Sequence, residues 1–365
     1  MGYYKNMNKP FLKSFIRDKR KVFSLTLEVL VFVLISYFFG IVTKANYKEA
    51  WEFETSDMFH EFQQANDVRA GLNPYKRILS GDLLINKKYA TLFPLYYYFL
   101  TFVGSFSNYN FEIFIDHIRT VLFWSALLGS AFLYIFFRQK NMKVLGFLAV
   151  VLFLFNRWSI NTLSDSKQDF IAIAFLIVSL HFFNSKQKLA YLFYGLSLGI
   201  KHLGIFVFPL FLTPFIYKEQ KPKKFFLSLL FLFLPVLIPA LPFLLNDYKA
   251  FLFSMLFSFT RKPATTSIPF GYENLLILYN IGVKNNKVIY YLIPRIPLLF
   301  SMLLNIYLLF TKRIPVYFYP VVSLFLFISF NPVLFDQYLT WVTPLLLMGV
   351  VEVSAVKKEK VHGKI

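Results

Sequence analysis

The chain has 365 residues, of which 57% are hydrophobic, 21% aromatic and only 16% charged, with a mean hydropathy of +0.55. Soluble domains carry roughly 45–50% apolar and about 25% charged residues, so a soluble two-domain enzyme, a disordered chain and a fibrous repeat are excluded and a polytopic helical membrane protein is left. A sequence without Cys has no disulfide framework, thiolate metal site or Cys nucleophile. The net charge of +20 would suggest nucleic acid in a soluble protein, but 22 of the 39 Lys and Arg fall in six short clusters between apolar runs. That is the pattern of cytoplasmic loops, so no nucleic-acid partner is expected.

Residues 1–21 carry seven basic side chains and read as a cytoplasmic tail. Residues 22–43 form the first span; no small-residue cleavage site follows, so a retained helix is expected rather than a signal peptide. Residues 44–112 are the first outer loop. Within it 89–106 is apolar, as is 113–137. If both crossed the membrane, the basic cluster at 138–143 would lie outside and every later cluster would be inverted. Residues 89–106 are therefore read as an interfacial helix, broken by Pro94 and carrying Tyr96, Tyr97 and Tyr98 at headgroup level, and 111–137 as span two.

Spans three and four, near 144–158 and 170–183, form a hairpin around an outer loop at 156–169. The stretch 189–217 lies between two basic clusters and must cross an even number of times. As one helix it would be about 44 Å long, so two short helices are expected to meet at Lys201-His202-Leu203-Gly204. Span seven lies near 225–245, a second large outer loop at 246–287, and spans eight to ten near 288–310, 314–330 and 338–356. Residues 357–365 form a second basic cytoplasmic tail. The expectation is a single all-α polytopic domain over 1–365, with about ten transmembrane helices and both termini inside.

Chemistry is expected on the outer face, where the loops are long and most acids fall. Met58/Phe59, Phe62, Ala65, Val68 and Leu72 recur at steps of three or four, which predicts an amphipathic helix on the membrane surface. Gly71 and Asn73-Pro74 end it, and Asp57 stands at its start. A carboxylate there is open to two readings: an N-cap for orphan amides, or a base that takes a proton from a sugar or lipid hydroxyl.

The run from Asp57 to Gly71-Leu72-Asn73-Pro74-Tyr75, followed by Pro94-Leu95-Tyr96-Tyr97-Tyr98, resembles the first outer loop of the GT-C membrane glycosyltransferases. The similarity is closest to the polyprenyl-phosphate-mannose-dependent mannosyltransferases. Three further stretches resemble that family: Lys167-Gln168-Asp169 opening span four, Gly195 to Lys201 with its small residues, and Phe335-Asp336-Gln337 to Trp341 with Pro344. The resemblance implies a GT-C architecture, Asp57 as catalytic base, a polyprenyl-phosphate sugar as donor and a lipid or glycan acceptor. It also implies substrate contacts at Asn73, Tyr75, Gln168, Asp169 and Gln337. The chain departs from the family where Gln337 stands in place of a common His, Lys167 in place of Gly, and Asp169 in place of Asn.

A departing phosphate needs fixed cations. Candidates are Lys201, His202, Arg261, Lys262 and Arg295. Each has a plainer alternative: Lys201 as a boundary anchor, Arg261-Lys262 as solvated loop charges, Arg295 as a snorkelling or carboxylate-paired side chain. Asp116 and Arg119 read as a structural pair and Glu28 as structural. Asp165 and Asp169, four apart, would share a helical face and could hold a cation, but two carboxylates are a thin ligand set. With no Asp-x-Asp in the sequence, a reaction without metal or cofactor is expected. Outer-loop Tyr and Trp read either as sugar-stacking groups or as an interfacial belt.

The expected activity is inverting transfer of a hexose, mannose first, on the extracytoplasmic face of a bacterial plasma membrane. The alternatives are a transporter or lipid flippase, since broken helices and buried charge also mark transport paths, and a non-catalytic subunit of a membrane complex.

Overall fold

The computed structural model describes residues 8–53, 57–76, 90–260, 296–330 and 337–361. It divides into two units, Met1–Ala45 and Asn46–Ile365. The first is one helix, α1 (Asn8–Ala45), whose apolar part Val22–Ala45 has 24 residues. At 1.5 Å per residue that reaches about 36 Å, enough for a hydrocarbon core of about 30 Å. Inside it, Ser24 donates to Glu28 at 3.0 Å, one turn away.

In the second unit all regular structure among the described residues is helical. Its helices are α2 (Asp57–Arg69), α3 (Pro94–Phe106), α4 (Phe111–Gln139), α5 (Lys143–Leu154), α6 (Arg157–Ser164), α7 (Asp169–Phe182), α8 (Gln187–Ile200), α9 (Phe208–Ile216), α10 (Pro222–Thr260), α11 (Ile296–Phe310), α12 (Tyr319–Phe330) and α13 (Gln337–Val361). With Val22–Ala45, the stretches Phe111–Gln139 and Pro222–Leu256 are long and apolar enough to cross a membrane. Helices α5 and α6 form a pair bent by 48°, and shorter apolar helices include Asp169–Phe182, Ile296–Phe310 and Val316–Phe330. Fourteen residues, as in α7, extend about 21 Å. The described residues are thus all-α, with three helices of membrane length among them.

Helix α7 is the centre of the second unit. From Asp169 to Leu180 every residue but Phe175 is buried, and a helix apolar all round needs protein on every side. Small side chains bring its neighbours close. A Cβ on Gly129 of α4 would stand 3.4 Å from the Ala174 Cα, and on the other flank Ser197 of α8 donates to the Ala172 carbonyl at 2.7 Å. Helix α8 meets α10 through Gly195 and Gly199; a Cβ on Gly195 would overlap the Leu232 carbonyl.

Several expectations need correction. Pro94 begins α3 rather than breaking it, because the missing N–H costs nothing at the first helical position. Tyr96 and Tyr97 are buried at 1% exposure and only Tyr98, at 37%, is exposed. The Tyr97 hydroxyl accepts from the Thr91 and Leu92 amides, which ties down the entry to α3.

Helix α2 buries Met58, Phe62 and Ala65 against protein, with the Phe62 ring tilted against those of Phe111 and Phe114, while Leu72 stays exposed. The loop at 156–169 contains α6, capped by Asn156. The stretch read as the second large outer loop, from 246, opens with helix. Asp247 leaves helical geometry (φ −160°, ψ 87°), its carboxylate accepts from the Ala250 amide at 3.0 Å, and a new helical segment runs to Thr260. A helix-capping Asp after an apolar run signals this in sequence.

Candidate functional site

The ends of six helices, α2, α3, α6, α7, α8 and α13, meet around the turn between α6 and α7. Asp57 opens α2. The helix closes with Leu72 donating to the Asp67 carbonyl and Gly71 to the Val68 carbonyl, Gly71 being left-handed at φ 72°. This pairing satisfies the last carbonyls and needs a residue without a Cβ penalty. The α6–α7 turn is held to the segment after Ala45 by Ser164 donating to the Asn46 carbonyl and by a Lys48–Asp165 ion pair of 2.5 Å. Arg119 on α4 pairs with Asp116 at 3.3 Å as expected, donates to the Lys48 carbonyl and lies over the Tyr47 ring. It thereby fixes the same segment.

Three polar links follow from this framework. Lys167 Nζ lies 3.1 Å from Asp57 Oδ2, with side-chain exposures of 19% and 51%. One turn along α2, Glu61 accepts from the Tyr96 hydroxyl at 2.6 Å. Asp169, wholly buried at the start of α7, accepts from Lys201 at 2.7 Å on one oxygen and from the Trp341 indole at 2.6 Å on the other. Lys201 sits in extended geometry (φ −145°, ψ 121°) between α8 and a short 3-10 turn, His202–Val207, so the helix break stands where the sequence placed it. Its ammonium also lies 5.8 Å from the Tyr338 ring centre. A Thr162–Thr340 hydrogen bond of 3.0 Å joins α6 to α13 beside this cluster.

The electrostatics are those of one connected cluster. Glu61 is half-buried, but its carboxyl is inside, and loss of solvent pushes its pKa from 4.5 up to about 7. The Tyr96 hydroxyl and the charges of Lys167 and Lys201 pull the other way, and Asp57 adds to the rise. For Lys167 burial opposes the charge, but Asp57 and Glu61 outweigh it and the pKa rises above the ordinary lysine value. Ser166, between Asp165 and Lys167, is left-handed at φ 51°; its Oγ and the Gln168 Oε1 are buried without a hydrogen-bond partner. Unsatisfied groups and backbone strain of this kind concentrate at functional sites.

Of the residues singled out in sequence, the structure brings together Asp57, Gln168, Asp169 and Lys201, with His202 adjoining. Lys201 is not a free cation, because Asp169 already balances its charge. Asp165 and Asp169 do not share a helical face: the first caps the end of α6, the second starts α7, and each pairs with a different lysine.

Asn73 and Tyr75 lie elsewhere. Asn73 bridges to Asn246 at 3.2 Å. Tyr75 is fully buried against Phe243 and Phe251, and its hydroxyl donates to the Leu92 carbonyl. Both join the first loop to α10 beside an open polar cleft of about 340 Å³ lined by Asp67, Asn73, Lys76 and Asn246. Gln337 is half-buried at the start of α13, one turn before Trp341. Arg261, Lys262 and Arg295 lie outside the described residues. Among the described residues no group of three His, Asp or Glu is placed to hold a metal.

Sequence reasoning missed Glu61, Tyr96, Lys167 and Trp341 as members of the site. Glu61 stands four residues after Asp57, on the same helical face, and that signal was available. Trp341 gives none, since nothing local says which apolar residue will meet a carboxylate 172 positions earlier. No protein-family model, curated protein or solved structure matches this chain.

Proposed function

We propose that the protein is a membrane glycosyltransferase of GT-C architecture, with about ten spans and both termini in the cytoplasm of a bacterial cell. It moves a hexose, mannose first, from a polyprenyl-phosphate donor to a lipid-linked or surface glycan acceptor on the extracytoplasmic side. The observation that carries this reading is the half-exposed Asp57 carboxylate at the head of α2, standing over a turn that supplies a lysine and unsatisfied polar groups.

In the reaction, Asp57 takes the proton from the acceptor hydroxyl. The oxygen forms a bond to the anomeric carbon as the bond from that carbon to the phosphate oxygen breaks, and the electron pair leaves on the phosphate. A single displacement inverts the anomeric centre. The Asp169–Lys201–Trp341 triad holds the floor of the site in one geometry and takes no part in proton transfer. A transporter or lipid flippase is the second reading, favoured by the extended break at Lys201 beside a buried ion pair.

The test is sugar transfer from polyprenyl-phosphate donors in membrane vesicles, comparing wild type with Asp57→Asn. Asn caps a helix about as well as Asp but accepts no proton, so activity should fall by at least about 100-fold at equal protein level. Full activity in the variant removes Asp57 as base. Movement of lipid across the vesicle without a glycosylated product supports the transport reading instead.

A further inference from the structure

The two lysines of the cluster are paired in opposite ways. Lys201 and Asp169 are 6% and 0% exposed, 2.7 Å apart, and the second Asp169 oxygen is held by Trp341. Separating them would strand a buried charge. Lys167 and Asp57 are 3.1 Å apart at 19% and 51% exposure, so Asp57 can lose this pair and stay solvated, whereas the more enclosed Lys167 can leave it only for another anion. Lys167 is flanked by Ser166 and Gln168, whose buried oxygens have no partner among the described residues. The other charges facing Lys167 are the carboxylates of Glu61 and Asp165, and Asp165 is already paired with Lys48.

We infer that Lys167 exchanges partners during the reaction: it pairs with Asp57 while the site is empty and moves to the donor's phosphate when the donor binds. Asp57, having given up its ion pair with Lys167, then accepts the acceptor's proton. The inference rests on the polyprenyl-phosphate reading above and gives that site its order of events. A base that stays paired with Lys167 until the anionic donor arrives is held back from a hydroxyl when there is no sugar to transfer. Asp57 and the phosphate compete for one ammonium, so removing the base should tighten binding of the anion. A purely structural Asp57–Lys167 contact would not produce that outcome.

The experiment is calorimetric binding of farnesyl phosphate, with uncharged farnesol as control, to the full chain purified in detergent. Wild type, Asp57→Asn, Lys167→Gln and the double variant are compared at equal monodispersity, with Lys167→Arg as the charge-keeping control. Asp57→Asn is expected to bind farnesyl phosphate about tenfold more tightly than wild type, and Lys167→Gln about tenfold more weakly. In the Lys167→Gln background the Asp57 substitution should have no effect, so the cycle is strongly non-additive; Lys167→Arg should keep near-wild-type affinity. Unchanged affinity in Asp57→Asn, or an additive cycle, overturns the exchange while leaving the transferase reading in place. Equal binding of farnesyl phosphate and farnesol by wild type overturns the donor reading and the exchange with it.

Discussion

Glu61 shows how one side chain's surroundings set a property that its type does not. It shares a helix face with Asp57, yet Asp57 reaches solvent beside Lys167, whereas the Glu61 carboxyl is enclosed and hydrogen-bonded to Tyr96. Because burial lifts its pKa from 4.5 to about 7, the folded chain holds a proton that the unfolded chain has already released across that interval. Stability therefore falls as pH rises from about 4.5 to about 7 and is flat in this respect above it. Glu61→Gln removes the titration. Its Tm should match wild type near pH 5 and exceed it near pH 8, in thermal scans of the purified protein in detergent. Parallel Tm profiles for the two proteins would mean that Glu61 is ionised throughout. Asp169 is the opposite case, a buried carboxylate whose two oxygens are both engaged by fixed partners.

At the scale of elements, α8 decides how the centre is assembled. Its outer turns carry Gly195 and Gly199 at a spacing of four, which places both on the side that meets α10. The two are not equivalent. A Cβ on Gly195 would strike the Leu232 backbone carbonyl, which cannot move without shifting α10. On Gly199 it would come 2.6 Å from the Leu95 Cδ2, a side-chain end that can rotate away. Gly195→Ala should therefore cost roughly 1–3 kcal/mol or more, the range for overpacking a well-filled core. Gly199→Ala should cost less. The comparison is made by denaturant titration in detergent, and equal costs would show that α10 is free to shift. Helix α10, with Pro235, Pro239 and Pro242 inside it, presents its opposite face with Leu237, Ile238 and Leu241 exposed, as a lipid-facing surface requires.

At the scale of the whole molecule, the three helices of membrane length among the described residues, together with the basic clusters, define a sidedness that can be measured. The chain has no cysteine, so single-Cys variants report unambiguously. Under the proposed topology Glu112→Cys, at the start of α4, is labelled by a membrane-impermeant maleimide added to intact cells. Lys223→Cys, at the start of α10, is labelled only after lysis. Both positions are exposed. Labelling in the reverse order would invert the chain and move Asp57 to the cytoplasmic side.

The sequence by itself determined the class of this protein and much of its punctuation. Composition left only a helical membrane protein, and charge parity argued against a span at 89–106, where the structure has the helix Pro94–Phe106. The arithmetic of 29 residues between two basic clusters predicted a break at Lys201, and the backbone is extended there. Hydropathy, charge and helix rise are local or cumulative along the chain, so a linear reading suffices for them. The pairing of side chains is not local. Asp57 meets Lys167 across 110 positions, and Asp169 meets Lys201 and Trp341 across 32 and 172. Only tertiary packing decided that Lys201 is neutralised while Lys167 stands beside an exposed carboxylate, because which charges are desolvated depends on which helices cover them.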